Sequence, residues 1–227
     1  VDLGFKPTKR TWGAEVFPGS SLPNAMVQVS PVTKFHSGAG YQYEDSVIYG
    51  FTHTNKGHWN LCHIPLLPVT GTPTPGDYCS PFSHERESAA PGYYQVFLDR
   101  YGVDAQLSST LRCAFHKYTY PAGAAASLLA DLQRSNEHVR AWDIRKEGDN
   151  VFAGWQQTGE KMYFYAVANR PVTGIEPVVE GDREVRIVRF GEGDGALELR
   201  IGFSFVSEKN ARENLEAEML GKSFAEV

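Results

Sequence analysis

The run GALELRIGFSFV at 195–206 leaves little choice of conformation. Leu197, Leu199, Ile201, Phe203 and Phe205 fall on alternate positions, with Glu198, Arg200, Gly202 and Ser204 between them. A period of two puts one set on a buried face of a β-strand and the other set on the opposite face. VDAQLSS at 103–109 repeats the pattern, and β-branched or aromatic runs recur at 24–30, 47–52, 64–69, 93–98, 111–120, 125–132, 138–146, 150–157, 161–168 and 183–190. Turn-rich pieces such as GTPTPGD, PAGA, EGDN, EGDR and GEGDG separate them. A dozen short strands with no helices between them predict an all-β fold over residues 1–206, an antiparallel β-sandwich of two stacked sheets.

One helix is expected, at the end. SEKNARENLEAEML (207–220) opens on Ser207 as an N-cap and carries Glu208–Arg212 and Lys209–Glu213 at i,i+4 spacing. Its apolar stripe is thin: Ala211, Leu215 and Met219. Residues 207–227 therefore read as a connector whose face needs a partner outside this chain, or else as a solvated helix.

Several functional classes are disfavoured. A net charge of −5 over 227 residues argues against a nucleic-acid or anionic-membrane surface. No apolar run approaches the roughly 20 residues a membrane span needs. The start, VDLGFKPTKR, shows no signal peptide and lacks methionine, which reads as a processed or trimmed product. Cys62, Cys79 and Cys113 are odd in number and form no CxxC, so free or buried thiols are expected, with at most one bridge and no structural zinc. Ten of the thirteen prolines fall within the first 91 residues, where long irregular connections on a rigid scaffold suit binding residues.

Within that part lies GFTHTNKGHWNLCHIPLLP (50–68), with His53, Lys56, His58, Trp59, Asn60, Cys62 and His63 in close succession. Three readings stand. His53, His58, Cys62 and His63 could ligate a metal, though Gly57 and the nearby prolines oppose the helix that would align them. His53 and His63 could end strands and satisfy local backbone groups. Or the stretch could recognise sugar, with His and Asn bonding hydroxyls and the Trp ring covering the C–H face.

Ordered blocks elsewhere bear on this choice: TWGAEVFPGSSLPNAMVQVSPVT (11–33), SGAGYQYEDSVIYGFTHT (37–54), SPFSHERESAAPGYYQVFL (80–98), LRCAFHKYTYP (111–121) and FSFVSEKNARENLEAE (203–218). Together they resemble the N-terminal domain of glycoside hydrolase family 92, the calcium-dependent exo-acting α-mannosidases. The resemblance implies a β-sandwich (supersandwich) joined by a helical linker at 207–227 to a C-terminal (α/α)6 barrel of the same polypeptide. It implies an active site between the two bodies and hydrolysis of mannose-containing glycans with inversion. The catalytic carboxylates and most of the calcium shell would lie on the barrel, beyond this chain. No catalytic or metal-binding residue is then expected here, and the chain alone should be inactive. A bacterial periplasmic or secreted setting follows from the same resemblance. A free-standing carbohydrate-binding module and a purely structural support domain are the alternatives.

One block departs from the family. Many members follow HT with a second histidine and a small-residue run such as HLSGTG, whereas this chain reads HTNKGHWNLCHIP. Asn55 replaces that histidine, and His58 and Trp59 replace small residues at a loop that borders the sugar cleft. Linkage preference therefore does not transfer. The substrate-facing residues implied are His53, His58, Trp59 and Asn60, with Trp12 and Phe17 around the FPG loop and Glu85 of SPFSHE. Glu44 and Asp45 read as neighbours on opposite faces of a strand, with Asp45 shaping a turn.

Overall fold

A computed structural model describes residues 17–57 and 59–227. Trp12 and His58 therefore lie outside the described residues. The described strands form two eight-stranded sheets and one two-stranded ribbon, with every pairing antiparallel. The first sheet runs β1 (Ser20–Ser21), β2 (Val27–Val32), β4 (Gly50–Lys56), β6 (Leu66–Val69), β12 (Ser127–Ala130), β17 (Arg183–Phe190) and β16 (Val172–Glu180), with β5 (Trp59–Asn60) folded back on β4. The second runs β13 (Ala141–Gly148), β14 (Val151–Gln157), β15 (Lys161–Ala168), β18 (Leu197–Ser204), β11 (Cys113–Thr119), β10 (Val103–Ser109), β9 (Tyr93–Leu98) and β8 (Glu87–Ala90). β3 (Val47–Ile48) pairs with β7 (Ser80–Pro81).

The two sheets close on one large apolar core. Alternation decides which side chains enter it. On β15, Met162, Phe164, Ala166 and Ala168 are buried, while Tyr163, Tyr165 and Val167 are half-buried on the other face. On β18, Leu197, Leu199, Ile201 and Phe203 are buried as the sequence predicts. Phe205 departs from it: the strand ends at Ser204, and Phe205 is partly exposed.

Inside the core a polar contact joins the sheets. His53 Nε2 on β4 meets His116 Nε2 on β11 at 3.0 Å, and His116 Nδ1 meets the Tyr118 hydroxyl at 2.5 Å. Phe203 lies 4.6 Å from the His53 ring, centroid to centroid. Burial holds both imidazoles neutral, lowering His53 to about 3 and His116 well below its ordinary value. His116 thus links the Tyr118 hydroxyl to the His53 ring.

The second sheet has a covered outer face. Helix α1 (Glu208–Glu218) starts where expected, with the Ser207 hydroxyl accepting from the Asn210 amide at 3.0 Å. Its thin stripe needs no outside partner. Ala211, Leu215 and Met219 are buried, and the last two pack with Cys113 and Phe115 beneath them. Burying Leu215 and Met219 is worth about 1.5–3 kcal/mol each. Gly202 makes the seat. A Cβ there would collide with the Ala211 carbonyl oxygen and stand 2.8 Å from Leu215 Cβ. Lys209 pairs with Glu213 at 3.7 Å as expected, whereas Glu208 turns from Arg212 to Arg145 of β13 at 2.8 Å.

Among the described residues, the four ends of the two large sheets are irregular. β1 has two residues and β8 four. β16 contains Pro177 and shifts register between Val172 and Gly174. β13 shifts register between Lys146 and Gly148 and carries Asp143, Arg145, Lys146 and Glu147. Among the described residues no helix is long and apolar enough to cross a membrane. Cys62, Cys79 and Cys113 are free thiols, and burial pushes Cys62 and Cys113 up to about 12.

Candidate functional site

The stretch expected to be a loop through Lys56–Asn60 is a tight hairpin. Lys56 pairs with Trp59 and Asn55 with Asn60. Gly57 takes φ of +62°, a conformation that suits glycine, and the Asn55 side-chain amide donates to its carbonyl at 2.8 Å. Trp59, at the turn, keeps 50% of its surface exposed. Lys56 is exposed opposite it in register.

Asn60 points the other way in function. It is buried, and its Oδ1 accepts the Cys62 amide at 2.7 Å, with the Thr52 hydroxyl at 3.2 Å. Its backbone N–H donates to Gly38 O at 2.9 Å, and its carbonyl accepts from Asn136 Nδ2 at 2.7 Å. Cys62 and Ile64 then adopt φ of +55° and +53°, which is unfavourable for a β-branched residue such as Ile64. The bend persists because side chains supply what a ladder would: Gln156 of β14 accepts the Ile64 amide at 2.8 Å.

The structure places His53 and Asn60 in the interior: His53 Nε2 meets His116, and Asn60 holds the Cys62 amide and the Thr52 hydroxyl, so both shape the hairpin and its anchorage. Phe17 is half-buried, and Glu85 is exposed on a short 3-10 turn. The neighbouring His84 ties that turn down, with Nδ1 at 2.5 Å from Glu87 Oε2 and Nε2 at 2.6 Å from Tyr43 O.

His63, beyond the bend, is buried between two partners. The Thr54 hydroxyl lies 2.8 Å from Nδ1, and Glu137 Oε2 lies 2.8 Å from Nε2. Burial lowers His63 and keeps it neutral against the opposing pull of Glu137. The geometry therefore assigns the proton to Nε2, donated to Glu137, while Nδ1 accepts from Thr54. For Glu137, burial by itself would raise the carboxyl. Hydrogen bonds from Thr158 and His63, with the charge of Lys56, outweigh it and hold the group below its usual range.

A cleft of 480 Å³ opens beside the hairpin, lined by Lys34, Phe35, His36, Glu44, Asp45, Tyr49 and Arg134 among others. Asn136 joins the two features: its Oδ1 accepts the His36 amide at 2.6 Å while its Nδ2 holds Asn60 O. The Arg134 guanidinium lies 4.2 Å from the Phe35 ring centre and 5.0 Å from that of Tyr49. Glu44 and Asp45 sit at a turn rather than on a strand, so both line the cleft, and Asp45 accepts from the Thr33 hydroxyl at 2.8 Å. Lys34, Phe35, His36, Tyr49 and Arg134 escape the sequence reading because residue 134 lies some 85 positions from residue 49. The one local signal is the aperiodic, small-residue run KFHSGAG.

Among the described residues no group of three or more His, Cys, Asp or Glu side chains is placed to hold a metal ion. The carboxylates near the hairpin are divided between the cleft and the His63 contact.

Residues 7–212 match the family model for the glycosyl hydrolase family 92 N-terminal domain. Among solved structures, the fold is similar to a family GH92 alpha-mannosidase from Bacteroides thetaiotaomicron. The TM-score is 0.84 at 25% identity, over 94% of this chain and 34% of that one. The same enzyme in complex with mannoimidazole matches at a TM-score of 0.82 and 25% identity, over 94% of this chain and 33% of that one. The GH92 family glycosyl hydrolase ccman5 matches at 0.78 and 26% identity, over 92% of this chain and 33% of that one. The chain thus spans about a third of the length of these structures. No curated protein matches it.

Proposed function

Because the chain belongs to glycosyl hydrolase family 92 as an N-terminal domain, we propose that it is the sandwich half of an exo-acting α-mannosidase. In this reading it lends the wall of a substrate cleft to a C-terminal (α/α)6 barrel of the same polypeptide. Mannose-containing glycans are the substrates, and the setting is periplasmic or secreted. The reaction is inverting hydrolysis, in which one carboxylic acid protonates the leaving oxygen and a second carboxylate activates water. Both carboxylates, and the calcium the family resemblance implies, are assigned to the barrel. This chain's own work is to bind and orient.

One observation carries the reading: an exposed indole, Trp59, stands on a hairpin that buried Asn60 and half-buried Asn136 fix from below. An aromatic face on a rigid support suits the C–H side of a sugar ring. The enzyme from Bacteroides thetaiotaomicron whose mannoimidazole complex is solved has the same fold over nearly the whole of this chain. His58, Trp12 and Phe17 belong to the same proposal as further wall residues, with Glu85 at its edge.

Kinetics of Trp59→Ala in the complete gene product test this. KM for α-mannobiosides should rise about tenfold, equivalent to about 1.4 kcal/mol, with kcat little changed. Unchanged KM would leave the domain as a structural support. The chain alone should release no mannose, and release by purified chain would overturn the assignment of catalysis to the barrel.

A further inference from the structure

The hairpin has a second chemical group near its base. Glu137 follows Asn136, whose amide donates to Leu61 O at 2.9 Å and whose side chain holds Asn60 O, so Glu137 stands against the base of β5. Among the described residues its carboxylate is held through one oxygen. His63 Nε2 and the Thr158 hydroxyl both reach Oε2 at 2.8 Å, and no described residue bonds Oε1. The side chain remains 41% exposed, and Lys56, paired with Trp59 across the hairpin, is near enough for its charge to act on Glu137. Fixed rotamers and a spare acceptor are what hydroxyl recognition uses, because little side-chain freedom is lost on binding.

We infer that Glu137 is a ligand-contacting residue of the Trp59 surface, its Oε1 accepting hydroxyl protons from the sugar that stacks on the indole, with His63 and Thr158 as positioning residues. This rests on the reading of that surface as glycan-binding. The ligand class it selects is a neutral sugar with free hydroxyls at its rim. A sugar carrying an anionic substituent there would meet a like charge.

The test compares three variants of the complete gene product, assayed with α-mannobiosides. Glu137→Gln keeps the shape and weakens the acceptor. It should raise KM about fivefold and leave kcat within about twofold. Thr158→Val, which frees one side of the carboxylate, should raise KM less. Trp59→Ala serves as the reference. If Trp59→Ala raises KM and Glu137→Gln does not, the inference falls and the Trp59 reading stands. If neither moves KM, both fall. A rise for Glu137→Gln alone would also overturn the inference, since the two groups are held to grip one sugar. So would a loss of kcat in step with loss of folded circular dichroism signal, which marks a structural brace.

Discussion

Between residues 93 and 204 the backbone is satisfied mainly by ladders, and between 33 and 65 side chains supply several of the partners that ladders and turns leave out. The first region pairs residue for residue over long runs, as in β10 on β11 and β15 on β18. The second has His36, Cys62 and Ile64 at positive φ and leans on Asn60, Asn136 and Gln156 for partners. A ladder buries its own polar groups but commits the strand to a flat surface. A side-chain anchor permits a bend, and here the bends make the cleft and lift Trp59 into solvent. The cost is concentration: many backbone bonds rest on few residues.

That contrast is easiest to break at Asn60. Asn60→Ala leaves the Cys62 amide and the Thr52 hydroxyl unpaired in the interior, and each buried unpaired group costs about 1–3 kcal/mol. A loss of about 4 kcal/mol is expected in urea unfolding. A loss under 1 kcal/mol would mean the bend holds without its anchor. In the ladder region the sensitive positions should be steric. Gly202→Ala drives a methyl into the Ala211 carbonyl under α1, with an expected cost of about 3 kcal/mol. Partial release of the helix should show as faster amide exchange at Ala211–Leu215, and unchanged exchange would refute the seat.

A smaller effect should appear where the two regions meet, at His53 and His116. The unfolded imidazole of His53 binds its proton near pH 6.5, while the folded one binds it near 3. Between these values the unfolded state takes up more protons, so stability is fully present above pH 6.5 and drains away as pH falls toward 3. At pH 5 the loss from His53 alone is about 2 kcal/mol. His116, lowered by the same burial, acts in the same direction. His53→Gln should flatten the dependence of unfolding free energy on pH between 5 and 6.5. A slope as steep as in the parent would place the acid sensitivity elsewhere.

The same contrast explains what the sequence could reveal. Period-two runs such as KMYFYAVA and REVRIVRF coincide with β15 and β17 to the residue, because ladder strands with one buried face obey a rule visible in the letters. β16 escapes it, since Gly174 and Pro177 remove the pattern, and an edge position tolerates both. The helix and its cap were legible. Its docking on Phe115 and Gly202 was not, because the partners lie about a hundred residues upstream in one case and on the polar face of a strand in the other. The site was half legible. Trp59 stood out as a large ring two positions after Gly57. His53 and Asn60 looked the same by composition as surface donors, and only the fold shows them turned inward. Arg134 and Glu137 join the site through Asn136, a single side chain with no local signature.

The irregular sheet ends have a consequence for how this domain can meet other bodies. A two-residue strand, a four-residue strand, a proline-bearing strand and a bulged, charge-laden one offer no long row of open amides and carbonyls. Growth by strand addition is thereby discouraged at each margin, so any assembly must be built through turns, clefts and side chains. Concentrated solutions should accordingly stay free of fibrils, and a second body that recognises this one has to do so through shape and chemistry.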